Sequence, residues 1–210
     1  MSHPAITMTN GVLAVLSAEN VPIIVCDNSY LPVGQVVPYE SASLSAERAR
    51  LQIAAPRAKM QLIWEKLISA KIKNQAFVLA EQGYSERADY LIKLCRSFKD
   101  VDSSESHAAR MYFEALFDSG FNRRDDGFSE NRVLNYAYAL LRSRVVRTIC
   151  ATGLHPTFGI KHHNKYNAFA LADDLMEPFR PIYDMKALEL ISLGLVELEP
   201  CTKKELIEFA

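Results

Sequence analysis

The sequence predicts a mainly α protein, with a multi-helix domain over residues 41–210 preceded by a short α/β segment over residues 1–40. Three observations carry this. Helical periodicity, with start and stop signals, runs nearly unbroken from about Ser41 to the C-terminus. β-branched runs are confined to Val21–Cys26 and Val33–Val37. The chain is 49% hydrophobic and 23% charged over 210 residues, a composition that excludes wholesale disorder.

The elements follow in order. Gly11–Asn20 reads as a short helix, and Val21–Cys26 and Val33–Val37 as two strands. Two short strands make no stable sheet alone, so this segment reads as the tail of a β-containing domain whose earlier part is absent. Ala46–Ala55 is a helix halted near Pro56. Arg57–Glu81 is a long helix with Met60, Ile63, Leu67, Ala70 and Phe77 on one stripe, ended by Gly83. Glu86–Phe98 follows the cap candidate Ser85, Ser104–Ser119 follows Asp102 and Ser103, and Glu130–Thr152 follows Ser129 and stops at Gly153. A loop from Leu154 to Tyr166 comes next. Helix resumes at Ala168, is broken at Pro178 and Pro181, and Thr202-x-x-Glu205 reads as a capping box for a last short helix.

Composition also limits function. The 24 Lys+Arg and 25 Asp+Glu leave a net charge of −1, so no global field draws the chain to nucleic acid. Four widely spaced Cys without a CxxC argue against a disulfide scaffold or a Cys-rich zinc module and fit a reducing cytoplasm. No apolar run reaches the ~18 residues of a membrane span. The charge distribution says more. Asn131–Ala172 holds six bases and no acid, whereas the chain from Asp173 onward holds nine acids and four bases. Such blocks are solvated helix faces or a strip that meets phosphate. P-loop, GxGxxG and GxSxG motifs are all missing, which removes the nucleotide-driven, dinucleotide and hydrolase-elbow classes.

Some residues stand out chemically. Glu105 shares a stripe with Ala108, Ala109 and Tyr112, costly for a carboxylate unless it is paired or binds a cation; the plain alternative is an acid favoured near a helix N-terminus. His162 and His163 lie in a basic loop, and Asp174 and Glu177 share a helix face, each equally readable as a solvated group. Together one imidazole and two or three carboxylates suit a hard divalent ion, Mg²⁺ or Mn²⁺, better than zinc. A di-iron helix bundle would need Glu-x-x-His pairs, and neither Glu105 nor Glu177 has a His three residues on.

Four ordered stretches carry a family resemblance: Glu105–Phe113; Leu134–Ser143; Gly153-Leu154-His155-Pro156 followed by Gly159-Ile160-Lys161-His162-His163-Asn164; and Leu171–Pro181. They resemble the CRISPR-associated integrase/endonuclease of the adaptation module in its type II-like form. Cys26-Asp27 with Leu31-Pro32-Val33-Gly34 is similar to the end of that family's N-terminal β-domain. The resemblance implies that residues 1–40 are a remnant of that β-domain and 41–210 the helical metal-binding catalytic domain, truncated at both ends. It implies Glu105, His162 and Glu177 as catalytic metal ligands with Asp174 close by, and Arg110, Arg142 and Lys161 as DNA contacts. It further implies Mg²⁺ or Mn²⁺, double-stranded DNA, a homodimer, a small companion subunit and a cytoplasmic setting. The implied activity is insertion of short DNA fragments into a CRISPR array by 3′-hydroxyl attack on a phosphodiester. The alternative is an inactive truncated homologue that binds DNA or a partner without turnover.

Overall fold

The computed structural model describes residues 5–19, 21, 23–26, 32–36, 44–95, 100–117, 120–123, 125 and 128–210. The expected domain boundary at residue 40, the motif residues Asp27 and Leu31, and the expected helix ends Phe98 and Ser119 lie outside them. The elements are α1 (Asn10–Ala18), β1 (Ile23–Cys26), β2 (Pro32–Val36), α2 (Ser45–Ala54), α3 (Arg57–Glu81), α4 (Ser85–Cys95), α5 (Val101–Leu116), α6 (Ser129–Ala151), α7 (Ala170–Met176), a 3₁₀ turn (Glu177–Phe179), α8 (Arg180–Ser192) and α9 (Pro200–Phe209). The mainly helical expectation is met. The chain divides into two compact units that alternate in sequence, residues 1–61 with 139–176 and residues 62–138 with 177–210.

In the first unit β1 and β2 pair antiparallel, Ile23 opposite Val36 and Val25 opposite Gly34, with an irregularity between Val25 and Cys26. Its core packs Val146 and Ile149 of α6 on Leu171 and Ala172 of α7. The loop after α6 is pinned by α2. Gln52 donates to the His155 carbonyl at 3.1 Å and accepts from the His155 amide at 2.9 Å, and Arg48 donates to the Thr152 carbonyl. Gly153, at φ 71°, ends α6 in the left-handed conformation that glycine adopts without steric cost.

In the second unit α4 packs on α5 and α8 on α9. Here three expectations need correction. The buried face of α3 is Trp64, Ile68, Lys71, Ile72, Gln75, Ala76, Val78 and Leu79, not the Met60–Phe77 stripe, and Phe77 is exposed. An apolar-only reading rotates the helix away from its true face because two polar residues lie on it. α5 starts at Val101, since Asp100 caps it by accepting from the Ser103 amide at 2.9 Å; Glu105 therefore stands in the second turn. Thr202 caps nothing. It lies inside α9, fully buried, while Glu199 is the N-cap and makes no side-chain cap bond. The break expected at Pro178 and Pro181 is the 3₁₀ turn, after which Pro181 sits in the first turn of α8, where its missing N–H costs no helical bond.

Candidate functional site

In the second unit α3 is the post to which two carboxylate-bearing segments are tied. Trp64 Nε1 donates to Asp102 Oδ1 at 3.2 Å, fastening the first turn of α5. Asn74 Nδ2 donates to the Pro178 carbonyl at 2.7 Å, fastening the 3₁₀ turn. Between these ties stands Lys71, 9% exposed, its aliphatic stem buried along the helix face and its ammonium at the end. Lys71 Nζ lies 2.5 Å from Glu105 Oε1 and 2.6 Å from Glu177 Oε2. Glu177 is buried, and its other oxygen lies 3.0 Å from Arg180 Nε. The Glu177 Oε2 contact is an ion pair rather than an aligned hydrogen bond, because that oxygen has no aligned donor among the described residues. Two acids and two bases thus neutralise one another, with Lys71 and Glu177 buried and Glu105 and Arg180 partly exposed.

Beside Lys71 opens a cavity of about 160 Å³, lined among others by Gln75, Arg123, Tyr138, Arg180 and Asp184. Tyr138 donates to Asp184 Oδ1 at 2.5 Å. The guanidinium groups of Arg180 and Arg123 lie 4.7 and 5.1 Å from the Tyr138 ring centre. Arg123 also donates to Asn131 and Asn135 at 3.1 and 2.8 Å. Burial pushes the Asp184 carboxyl up to about 6, with Tyr138, Arg123, Tyr112 and Arg180 pulling against it. Burial, reinforced by Asp184, likewise raises the Tyr138 and Tyr112 hydroxyls well above the usual phenol range.

In the first unit Asp174 is completely buried. Its Oδ2 accepts from the amides of Ile160 at 2.6 Å and Lys161 at 2.8 Å, and its Oδ1 meets His162 Nδ1. Gly159 makes this wrap possible. A Cβ there would strike the His162 carbonyl and approach Asp174 Oδ2 to 3.1 Å. Arg142 is committed within the unit. It pairs with Asp173 at 2.8 Å, donates to Asn167 at 3.1 Å and lies 5.2 Å from the Phe169 ring centre.

Of the residues singled out from sequence, the structure brings Glu105 and Glu177 together on Lys71 and places His162 on Asp174 in the other unit. Lys161 and His163 are exposed, as is Arg110, which lies 3.5 Å from His107 Nδ1. Among the described residues no three His, Cys, Asp or Glu side chains form a ready metal cage. Lys71, Arg123, Tyr138 and Asp184 escaped the sequence reading. The one usable signal for Lys71 was its place between Trp64, Ile68 and Gln75 at helical spacing.

The carboxylate pair fits a divalent ion. A cation already stands between its oxygens, and its contacts of 2.5 and 2.6 Å exceed the ~2.0–2.1 Å of Mg²⁺–oxygen bonds by only a few tenths of an ångström.

The chain is similar to known proteins in sequence and in fold. The chain is 35% identical over 205 residues to the CRISPR-associated endonuclease Cas1 of Neisseria meningitidis serogroup C (strain 8013), covering 96% of this chain and 67% of that protein. In fold it is similar to a casposase bound to integration product, at TM-score 0.68 and 22% identity over 96% of this chain and 69% of that one. It is also similar to a chain of a partial Cas6-RT-Cas1–Cas2 complex, at TM-score 0.68 and 21% identity over 91% and 64%. The chain thus spans about two thirds of the length of these relatives. The family model described as CRISPR associated protein Cas1 matches residues 1–206. With that match over nearly its whole length, this chain belongs to the Cas1 family.

Proposed function

We propose that the chain carries a divalent-metal-dependent DNA endonuclease/integrase activity that inserts short double-stranded DNA fragments into a CRISPR array. The observation that supports it most is the convergence of Glu105 and Glu177 on one buried cation. These two carboxylates would hold Mg²⁺ or Mn²⁺. The loop motif implies His162 as the third ligand, and Asp174 engages its Nδ1. When bound, the ion polarises a phosphoryl oxygen and favours the deprotonated hydroxyl.

The chain's own residues do the rest. The exposed Arg110 and Lys161 grip backbone phosphates without reading bases; Arg142 joins them only by loosening its pair with Asp173. The 3′-hydroxyl oxygen of the incoming fragment forms a new bond to phosphorus. The old phosphorus–O3′ bond breaks, and its oxygen leaves as a hydroxyl carrying the proton. No nucleoside triphosphate is consumed. The names of the relatives support the reading further, one an endonuclease, one bound to an integration product and one in a complex with Cas2. A homodimer and a Cas2-like companion belong to the same proposal.

Strand transfer and cleavage of branched DNA with Mn²⁺ test it. Glu105→Gln, Glu177→Gln and His162→Ala should each lower the rate by about 100-fold or more while retaining the helical circular-dichroism spectrum. Full activity in all three sinks the metal assignment. A folded wild-type chain that binds DNA without turnover identifies instead a non-catalytic DNA-binding homologue.

A further inference from the structure

We infer that Lys71 is a tethered counter-ion: its ammonium holds the Glu105–Glu177 pair while no divalent ion is bound, and withdraws into the adjoining cavity when one enters. This rests on the metal reading above.

Four observations carry it. The ammonium occupies the point that both carboxylates face, at 2.5 and 2.6 Å, so ammonium and divalent ion cannot share the place. Without it two acids, one of them buried, would repel each other on a single site. The group is a lysine rather than an arginine, a compact charge on a flexible stem that can swing without breaking a planar fork. Finally, the cavity beside it, which Arg123 and Arg180 also line, holds a second set of acceptors. Gln75, one helical turn along α3 and 2% exposed, has a buried Oε1 with no hydrogen-bond partner among the described residues. Asp184 lines the same space. An unsatisfied buried amide oxygen is costly, and a displaced ammonium would satisfy it. Arg180 stays on the other oxygen of Glu177 in both states, so the carboxylate keeps its orientation while Lys71 moves.

The device makes the site preformed yet guarded. The carboxylates are held together before the ion arrives, and a monovalent cation in solution gains nothing over the built-in one. Divalent affinity is lowered by what the ammonium must give up.

Mn²⁺ binding to the whole chain, followed by electron paramagnetic resonance, tests this together with thermal melts in EDTA and in Mn²⁺. Lys71→Met should bind Mn²⁺ at least about tenfold more tightly than wild type. It should melt lower than wild type in EDTA and recover when Mn²⁺ is added. Equal or weaker binding by Lys71→Met, with wild type binding normally, overturns the counter-ion role and leaves the metal reading standing. Failure of both proteins to bind Mn²⁺ overturns the metal reading and the inference with it. A wild-type measurement stands beside the variant in case the latter does not fold. In lysine-labelled protein, with the Lys71 side-chain signal assigned by its loss in Lys71→Arg, saturating Mg²⁺ should shift that signal; an unmoved signal overturns the withdrawal.

Discussion

Asp174 holds His162 by its Nδ1 while gathering the amides that lead up to it. One oxygen accepts from Ile160 and Lys161, and the other meets the imidazole. The carboxylate is fully buried, so the loop carrying His162 is shaped around an acid on α7.

Asp174→Asn should therefore uncouple folding from function. The amide oxygen can still accept from the loop amides, so the stability loss should stay at about 1–2 kcal/mol. Its NH₂ would face Nδ1 and donate to it, reversing the tautomer and placing the ring proton on Nε2. Mn²⁺ affinity should fall about 10–100-fold. Nitrogen chemical shifts of the labelled imidazole read the tautomer directly; an unchanged tautomer with unchanged affinity would show that Asp174 does no more than shape the loop.

Asp184 makes stability depend on pH. Its folded carboxyl is raised to about 6 from an ordinary 3.8, so the folded state binds the proton more tightly than the unfolded chain. The stability tied to that proton is fully present below the unfolded value and is lost as pH rises through the folded one. Above pH ~6 the charged form costs the fold roughly 2–3 kcal/mol. Asp184→Asn can keep the Tyr138 hydrogen bond and abolishes this titration. Urea denaturation should show the variant gaining on wild type by about that amount across this interval; parallel pH profiles would mean that Asp184 stays charged throughout.

Thr202 is buried inside α9 with a hydroxyl that has no hydrogen-bond partner among the described residues. Replacing it by the nearly isosteric valine removes an unsatisfied polar group, and Thr202→Val should raise stability by up to about 1 kcal/mol. Were Thr202 a cap, the same change would cost about 1 kcal/mol. The sign of the shift in the urea midpoint distinguishes the two.

Much was legible from local chemistry. Gly83 and Gly153, both at positive φ, mark the stops after α3 and α6 where the sequence indicates them. Pro178 and Pro181 announce the 3₁₀ break. Glu105 was visible as a carboxylate on an apolar stripe, and Glu177 and His162 as parts of ordered motifs. The face of α3 was not legible. Periodicity reads hydrophobicity. Lys71 and Gln75 interrupt the buried stripe with polar side chains, and the burial of Lys71 depends on carboxylates more than 30 residues away.

The amino-acid order alone was enough for the list of helices, the acid-bearing segments and the family motifs, because caps, breakers and motif spacing act within a few residues. Folding in three dimensions was needed to show which acids face one another and which base stands between them. A buried ammonium is stable only where distant carboxylates arrive to neutralise it, and no local window contains Lys71, Glu105 and Glu177 at once.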